Sequence, residues 1–595
     1  MAIRLHHGEA TLNLWECAEI ELHSKRSYGN PYTEVTVWID LNGPGFRKRI
    51  YGFWDGDGTW KVRLTVTAPG EWTWESATDP FDPDLAGVGG SITATRWGPE
   101  DLEDNPLRRG FIQPTPNGHA FQYADGTPVY LLGDTWWATA TFRYPWHDDE
   151  EARPLGPGAG FKDMVAYRRR QGYNCIAMLA GFPTWANDGN PNRWPMPGND
   201  EYCLRWAWPQ GQSGSAKDMH NEGGRPFHFP GRVPGFETVV PDYDRPNPDY
   251  FRFLDRKIDY LNQEGFVPFI EVARRDIIGL WRAHYDWPRS YTRFAQYVFA
   301  RYQAHNCLLS PIHYDAALYS IPSRDYNEPA NLLIDTYGPP PFGTLLGTNS
   351  NPSSLVNFGG PTEARWLTFH QIGNRREHEY YWYLTEIHRT QPPRPALNGE
   401  PFYPGFDGKP ADSEEAEANC RSGMYGSFLS GGLAGFFYGV QGVWGADIEP
   451  DAEYHLWDSL QYRSGAQVGY LREFVMAEGE RYVELVPEME LVVPSKSGPP
   501  EGYRGWTYCA ATPERDLFML YFEPGCPPSA KLRGCLPDAV YTARWFDPRS
   551  GGWIEANAPL ASDERATLAL PCRPDQSDWG LVVRLVTDAT RRSAG

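Results

Sequence analysis

Four acidic residues close short apolar runs in the middle of the chain: Asp134 in "PVYLLGDTWW", Glu271 in "GFVPFIEVARR", Asp315 in "NCLLSPIHYD" and Glu400 in "PALNGEPFY". Carboxylates in pairs suit glycosidic bond cleavage, where one acid protonates the leaving oxygen and the other attacks the anomeric carbon or activates water. Glu400 is the most constrained, because Pro401 restricts the backbone behind it and biases Glu400 itself toward an extended geometry. Trp136, Trp137, His313, Tyr314, His370, Gln371, Asn398, Tyr403, Tyr438 and Trp444 stand at or beside the ends of the same runs. With Asp134 and Glu271 they are the candidate substrate-binding residues, and Asp315 with Glu400 is the candidate catalytic pair.

Each has a structural alternative. Asp134 can cap the next segment or bind an arginine, and Glu271 can form an ion pair with Arg274 or Arg275, which follow it. The histidines can serve as hydrogen-bonding pocket residues. HExxH is absent and no tight His/Asp cluster occurs, so neither a metal nor another cofactor is expected. Asn327-Glu328-Pro329, the tripeptide that carries the acid in many barrel glycosidases, lies well beyond the end of its run, whereas Asp315 sits directly at that end.

The elements that must position these residues follow a repeated grammar. From about Gln113, short apolar strands alternate with helical segments: strands are expected near 128–137, 175–180, 266–272, 306–315, 343–348, 366–371, 395–400 and 433–439. Asn247 and Pro248 suit a helix cap and first turn, Phe251, Leu254, Ile258 and Leu261 have helical spacing, and Gly172 and Gly265 read as helix stops. Eight such units favour a (β/α)8 TIM barrel over a doubly wound sheet, which would show GxGxxG after its first strand. In barrels the active site lies at the C-terminal strand ends, where the four acids fall.

Before and after this region the pattern is all-β. "YTEVTVWIDL" and "TWKVRLTVTAPGEWTWES" alternate apolar and polar residues, and "RDLFMLYFEPG", "VYTARWFDPRSGGW" and "WGLVVRLVTD" do so near the end. The expected organisation is an N-terminal β-sandwich over 1–112, a barrel over 113–480 and a C-terminal β-sandwich over 481–595. The segment 182–246 is a very long loop carrying Trp185, Trp194, Trp206 and Trp208, which reads as a binding wall or an aromatic decoration.

Aromatic residues form 15% of the chain, with 24 Trp, which supplies rings able to stack on sugar faces or fill sandwich cores. The net charge of −21 disfavours nucleic acid and anionic membrane as partners and fits a neutral substrate. Nine scattered Cys without CxxC pairs read as reduced thiols. The start, "MAIRLHHGEATLNLWECAEIEL", has no apolar core of a secretory signal, so a cytoplasmic location is expected. The uncharged stretch 422–446 holds eight glycines and reads as a helix end, a buried strand and a loop rather than a membrane span. A homo-oligomer is compatible with the sequence, which specifies no symmetry.

The chain resembles the apiosidase-like glycoside hydrolases. "GNPYTEVTVWIDL" and "YGFWDGDGTWKVRLTVTAPGEWTW" look like their N-terminal sandwich; "YLLGDTWW", "NPDYFRFLDRKIDYLNQEGFVPF" and "PALNGEPFY" look like their first, third and seventh barrel units. "DLFMLYFEPG" and "ARWFDPRSGGW" resemble their C-terminal domain. The resemblance implies an acid/base Asp after strand four and a nucleophilic Glu after strand seven, here Asp315 and Glu400. Two segments depart from the family: "LLSPIHYD" stands where a Trp and a Gly-Gly-Asp often end strand four, and "LTFHQIGN" differs at strand six.

The expectation is therefore a retaining, exo-acting glycoside hydrolase that removes a terminal sugar from plant-derived oligosaccharides or glycosides. Two alternatives stand beside it: a non-catalytic carbohydrate-binding or scaffold protein on a barrel fold, and an inverting glycosidase or transglycosylase.

Overall fold

The computed structural model describes residues 2–586 except 6–7, 182–219, 236, 238–239, 275–280, 316–320, 407 and 557. At its centre is a parallel sheet of seven strands. In chain order they are Leu131–Thr135, Cys175–Gly181, Val267–Ala273, Leu308–Ser310, His370–Gly373, Ala396–Glu400 and Gly435–Tyr438. Strand one, Leu131–Thr135, pairs with both strand two, Cys175–Gly181, and the last strand, Gly435–Tyr438, as in a sheet that curls upon itself. Every residue of these strands is buried, as expected where helices cover one face and the barrel interior the other.

The fifth unit departs from the expected strand at 343–348. Only isolated bridges form there, Leu309 to Leu346 and Tyr314 to Ser350. Leu346 nevertheless joins the two sheet edges, because Leu309 N donates to Leu345 O at 3.1 Å and Thr368 N donates to Leu346 O at 2.8 Å. This extended segment closes the (β/α)8 barrel with one ladder reduced to single contacts. The sixth strand starts at His370, later than the expected 366, since Thr368 Oγ1 is bonded to Leu346 instead. Strand one is likewise shorter than 128–137, and Pro128–Val129 belongs to a separate three-stranded piece.

The helices follow the sequence signals. Asn247 caps the helix Pro248–Gln263 by accepting from Asp249 N, and Phe251, Leu254, Ile258 and Leu261 lie on its buried face. Gly172 (φ 87°) and Gly265 (φ 78°) supply the left-handed turns that lead into strands two and three. The stretch 422–446 resolves into the end of the helix Glu414–Leu429, the strand Gly435–Tyr438 and a loop. Among the described residues, no helix is long and apolar enough to cross a membrane.

Two β-sandwiches flank the barrel. In the first, a five-stranded and a four-stranded sheet share a core that includes Ile20, Val37, Ile39, Val62, Trp72 and Ile92. It is bound to the barrel by a buried charge network. Arg63 bridges Glu19 of the sandwich and Asp255 of the helix Pro248–Gln263, and Arg301 bridges Asp255 and Asp55. Those two guanidiniums overcome the effect of burial and hold the Asp255 carboxyl far below the usual range. In the last sandwich, Val492, Leu532 and Leu568 of a three-stranded sheet meet Phe518, Leu520 and Leu581 of the larger one. Arg421 on a barrel helix pairs with Asp578 there through both carboxylate oxygens.

Candidate active site

The barrel floor is aromatic. Phe269, Phe369 and Phe437, from strand three, the approach to strand six and strand eight, meet with ring centroids 6.0–6.1 Å apart. Side chains two residues further along a strand point the same way, so Glu271 and Gln371 rise from this layer toward the C-terminal rim.

At the rim the structure gathers Glu271, His313, Asp315 and Glu400. Glu400 ends strand seven and Asp315 follows strand four; the two are 7% and 8% exposed, so both are nearly enclosed. His313 lies between two acids: Nδ1 is hydrogen-bonded to Glu271 Oε2, and Nε2 stands 3.4 Å from Asp315 Oδ2. Arg274 Nη2 is 3.3 Å from the same Asp315 oxygen. Of the two arginines considered as partners for Glu271, Arg274 thus pairs with Asp315. Asn349 Nδ2 donates to Glu400 Oε2 at 3.1 Å, and Asn349 N donates to Glu271 Oε1 at 2.8 Å.

The electrostatics follow from this layout. Burial disfavours the charge of His313, but Glu271 and Asp315 outweigh it and push its pKa up to about 9. Burial also raises the Glu400 carboxyl, and the negative Asp315 adds to that. His313, the Asn349 hydrogen bond and Arg274 pull the other way, leaving Glu400 raised to about 7. The Asp315 charge therefore reaches Glu400 and favours its protonated form.

Backbone contacts lock the two ends together. Asn374, at φ 53°, donates its N–H to Glu400 O at 2.7 Å and its Nδ2 to Asp315 O at 3.2 Å. Asparagine tolerates this left-handed conformation better than most residues. Before Glu400, Gly399 lets Gln371 approach: a Cβ there would lie 2.2 Å from Gln371 Oε1, so a larger residue would have to displace that side chain. Gln371 is fully buried, and its amide nitrogen and oxygen, like Asn349 Oδ1, find no partner among the described residues. These atoms leave hydrogen-bonding capacity open beside Glu400. Tyr403 donates to Thr135 Oγ1 at 3.0 Å, and burial, with the nearby Glu400 charge, raises its phenol pKa far above normal. Trp137 presents its ring to His313 at 4.5 Å, and Trp444 is bonded to Gln441 in the loop after strand eight.

Other candidate residues are held by neighbours away from this cluster. Asp134 is fully buried against Arg168 of the helix Phe161–Arg170 (2.7 Å) and accepts from Trp136 Nε1 (2.8 Å), so it serves the helix layer. Trp136 stacks on Tyr144 at 5.0 Å, and Tyr438 is bonded to Ser464 beside Arg168. Asn398 donates to Ser427 of the helix Glu414–Leu429 and accepts from Glu400 N, fixing the strand end rather than a ligand. Tyr314 bonds Ile321 O and packs on Tyr326 and Phe358. His370 is held by Ser354; burial, with Arg394 nearby, lowers its pKa to about 3 and keeps it neutral. Glu328 is exposed on the helix Asn327–Tyr337, outside this cluster.

Asn349 and Asn374 are functional candidates that the sequence reading missed. The polar run "GTNSN" after the fifth unit was the available signal for Asn349. The four tryptophans of the long loop, and Arg275, lie outside the described residues. A cavity of about 570 Å³ lined by Trp54, Arg225, Phe229 and Arg245 touches none of the candidate residues.

A (β/α)8 barrel with buried carboxyl groups at its C-terminal rim is compatible with glycoside hydrolysis. The comparisons agree in class. Residues 115–480, more than half of the chain, match the family described as "Apiosidase-like, catalytic domain", and the protein belongs to that family and is a glycoside hydrolase. Residues 11–79 match a domain of unknown function, and 486–584 match a family described as "Putative collagen-binding domain of a collagenase". Among solved structures, the chain is similar to a "putative glycoside hydrolase" from Bacteroides vulgatus ATCC 8482, with 15% identity, TM-score 0.66 and coverage of 97% of this chain and 100% of that one. It is also similar to a glycoside hydrolase family 5 protein from the same organism, with 13% identity, TM-score 0.57 and coverage of 82% and 99%. At such identities the likeness speaks for the fold. A comparison with curated proteins gives no match.

Proposed function

We propose that the protein is a retaining, exo-acting glycoside hydrolase that removes a terminal sugar from plant-derived oligosaccharides or glycosides, with Glu400 as nucleophile and Asp315 as acid/base. The observation that carries this reading is the enclosure of Asp315 and Glu400 at the ends of strands four and seven, close enough for the Asp315 charge to raise the Glu400 carboxyl. Their enclosure supports a pocket for a chain end over an open cleft. Gln371 and Asn349 offer the unpaired polar atoms that sugar hydroxyls would satisfy, and Trp137, Tyr403 and Trp444 offer apolar or hydrogen-bonding walls. Catalysis resides in 113–480, with 1–112 and 481–595 as accessory sandwiches. The eight cysteines among the described residues are free, which supports a reducing compartment.

In this reading Glu400 attacks the anomeric carbon while Asp315 donates its proton to the departing oxygen, and Asp315 then takes a proton from the incoming water. The cations beside Asp315 favour a second reading with the roles exchanged, since Arg274 and His313 stand directly against it, whereas the hydrogen-bond donor on Glu400 is a neutral amide and its carboxyl stays raised to about 7. Azide rescue separates the two on an aryl glycoside that the wild type cleaves. In the first reading Glu400→Ala with azide yields a glycosyl azide of inverted configuration, and Asp315→Ala yields one of retained configuration. The reverse outcome establishes the exchanged roles, and free sugar of inverted configuration from the wild type refutes retention.

A further inference from the structure

We propose that Glu271 is a positioning residue that sets both catalytic carboxyl groups at once, through His313 on one side and Asn349 on the other. The inference rests on the assignment of Asp315 and Glu400 above and concerns a residue that touches neither of them. Glu271 is 0% exposed, and each of its oxygens is spent on one arm. Oε2 is bonded to His313 Nδ1, and His313 Nε2 faces Asp315. Oε1 accepts from Asn349 N, and the Asn349 side chain donates to Glu400. The arms are tied to the frame, because His313 N donates to Ala273 O at 2.9 Å and Tyr314 N donates to Asn349 O at 3.1 Å.

Hydrogen-bond logic then specifies the state of His313. An ionised carboxylate only accepts, so Glu271 draws a hydrogen onto Nδ1, and Asp315, once it has given up its own proton, draws one onto Nε2. An imidazole that satisfies both is an imidazolium, in agreement with its raised pKa. Among the described residues, other charged or titratable groups also stand near it. Arg274 leaves strand three beside His313 and pairs with Asp315, while Glu400 and Tyr403 lie across the site. Tyr291 of the helix Arg289–Tyr302 feels the Glu271 charge and is bonded to Pro311 O. None of these replaces the Nδ1 acceptor. Glu271 thereby holds a cation against one catalytic acid and a neutral donor against the other, which makes the two carboxyl groups electrostatically unequal.

The test is Glu271→Gln, which preserves shape. The Gln oxygen still accepts from Asn349 N, but its NH2 group donates toward Nδ1 and forces His313 into the neutral tautomer. The readouts are the histidine ring titration by NMR, with His313→Asn identifying the signal, and the pH–rate profile on an active aryl glycoside. The expected result is a His313 pKa lowered by at least two pH units in Glu271→Gln and an alkaline limb moved down by at least one. KM stays within threefold and thermal unfolding stays near wild type. Glu271→Ala, which releases both arms, is expected to lose at least tenfold more kcat than Glu271→Gln. An unchanged His313 titration in a folded Glu271→Gln variant overturns the proposal, and so does a rise in KM with an unshifted profile, which would mark substrate contact. The NMR titration needs no turnover. A shifted His313 signal in a protein that cleaves no glycoside would therefore sink the functional reading while leaving this linkage intact.

Discussion

Glu400→Gln should stabilise the protein while sharply lowering turnover, and the gain should depend on pH. Burial and the Asp315 charge raise the Glu400 carboxyl from 4.5 to about 7. A carboxyl whose folded pKa is raised binds its proton more tightly in the folded state, so stability falls as pH climbs from the unfolded value toward the folded one. At ~1.4 kcal/mol per pH decade, the full displacement amounts to ~3 kcal/mol above pH 7 and to less than ~1 kcal/mol at pH 5. Gln carries no charge at either pH and keeps an oxygen to accept from Asn349 Nδ2. The assay is urea unfolding of wild type and Glu400→Gln at pH 5 and pH 8. Glu400→Gln should exceed wild type by ~2–3 kcal/mol more at pH 8 than at pH 5. His313 contributes in the same direction to both proteins, because its raised pKa stabilises the fold below its ordinary value of 6.5 and that contribution fades as pH passes 9. It therefore cancels to first order in the comparison. Equal differences at the two pH values, or a variant less stable at pH 8, would refute the claim that Glu400 is held in a charge-disfavouring site.

Three further outcomes follow from the geometry. Glu328→Gln should keep wild-type kcat/KM, since Glu328 is exposed on a helix outside the site, and a large loss in a kinetic assay would reinstate it as a candidate. Asp134→Asn should destabilise by ~3–5 kcal/mol in denaturant titration, because it leaves Arg168 a fully buried cation without its carboxylate. Gly399→Ala should cost ~1–3 kcal/mol by crowding Gln371, and adding Gln371→Ala should restore part of that stability; no restoration in the double variant would dispose of the contact.

Much of the barrel was legible because buried parallel strands are short apolar runs, and a run ends where the chain reaches water or a site. Asp315 and Glu400 were singled out as candidates in this way. The same property hid which way each strand-end residue points. A strand apolar on both faces shows no alternation, so nothing in "YLLGDTWW" indicated that Asp134 turns toward Arg168 while Thr135 turns toward Tyr403. The direction comes from the register with strand eight, where Asp134 lies beside Tyr438 on the helix side. The fifth unit was the faintest ladder and carried Asn349, whose role depends on pairing with residues far away in sequence. Asn374 gave no periodic signal at all, since its role rests on a left-handed turn between two strand ends. Arg274 was visible as a cation near Glu271, but only the fold shows that it reaches Asp315.

The most direct test of the account is the turnover of Glu400→Gln and Asp315→Asn, measured separately on an aryl glycoside that the wild type cleaves. Each isosteric change should lower kcat by about 10³-fold, within the range for loss of an acid, base or nucleophile, in a folded protein. Activity within tenfold of wild type in either variant would contradict the central claim that these two side chains perform the reaction.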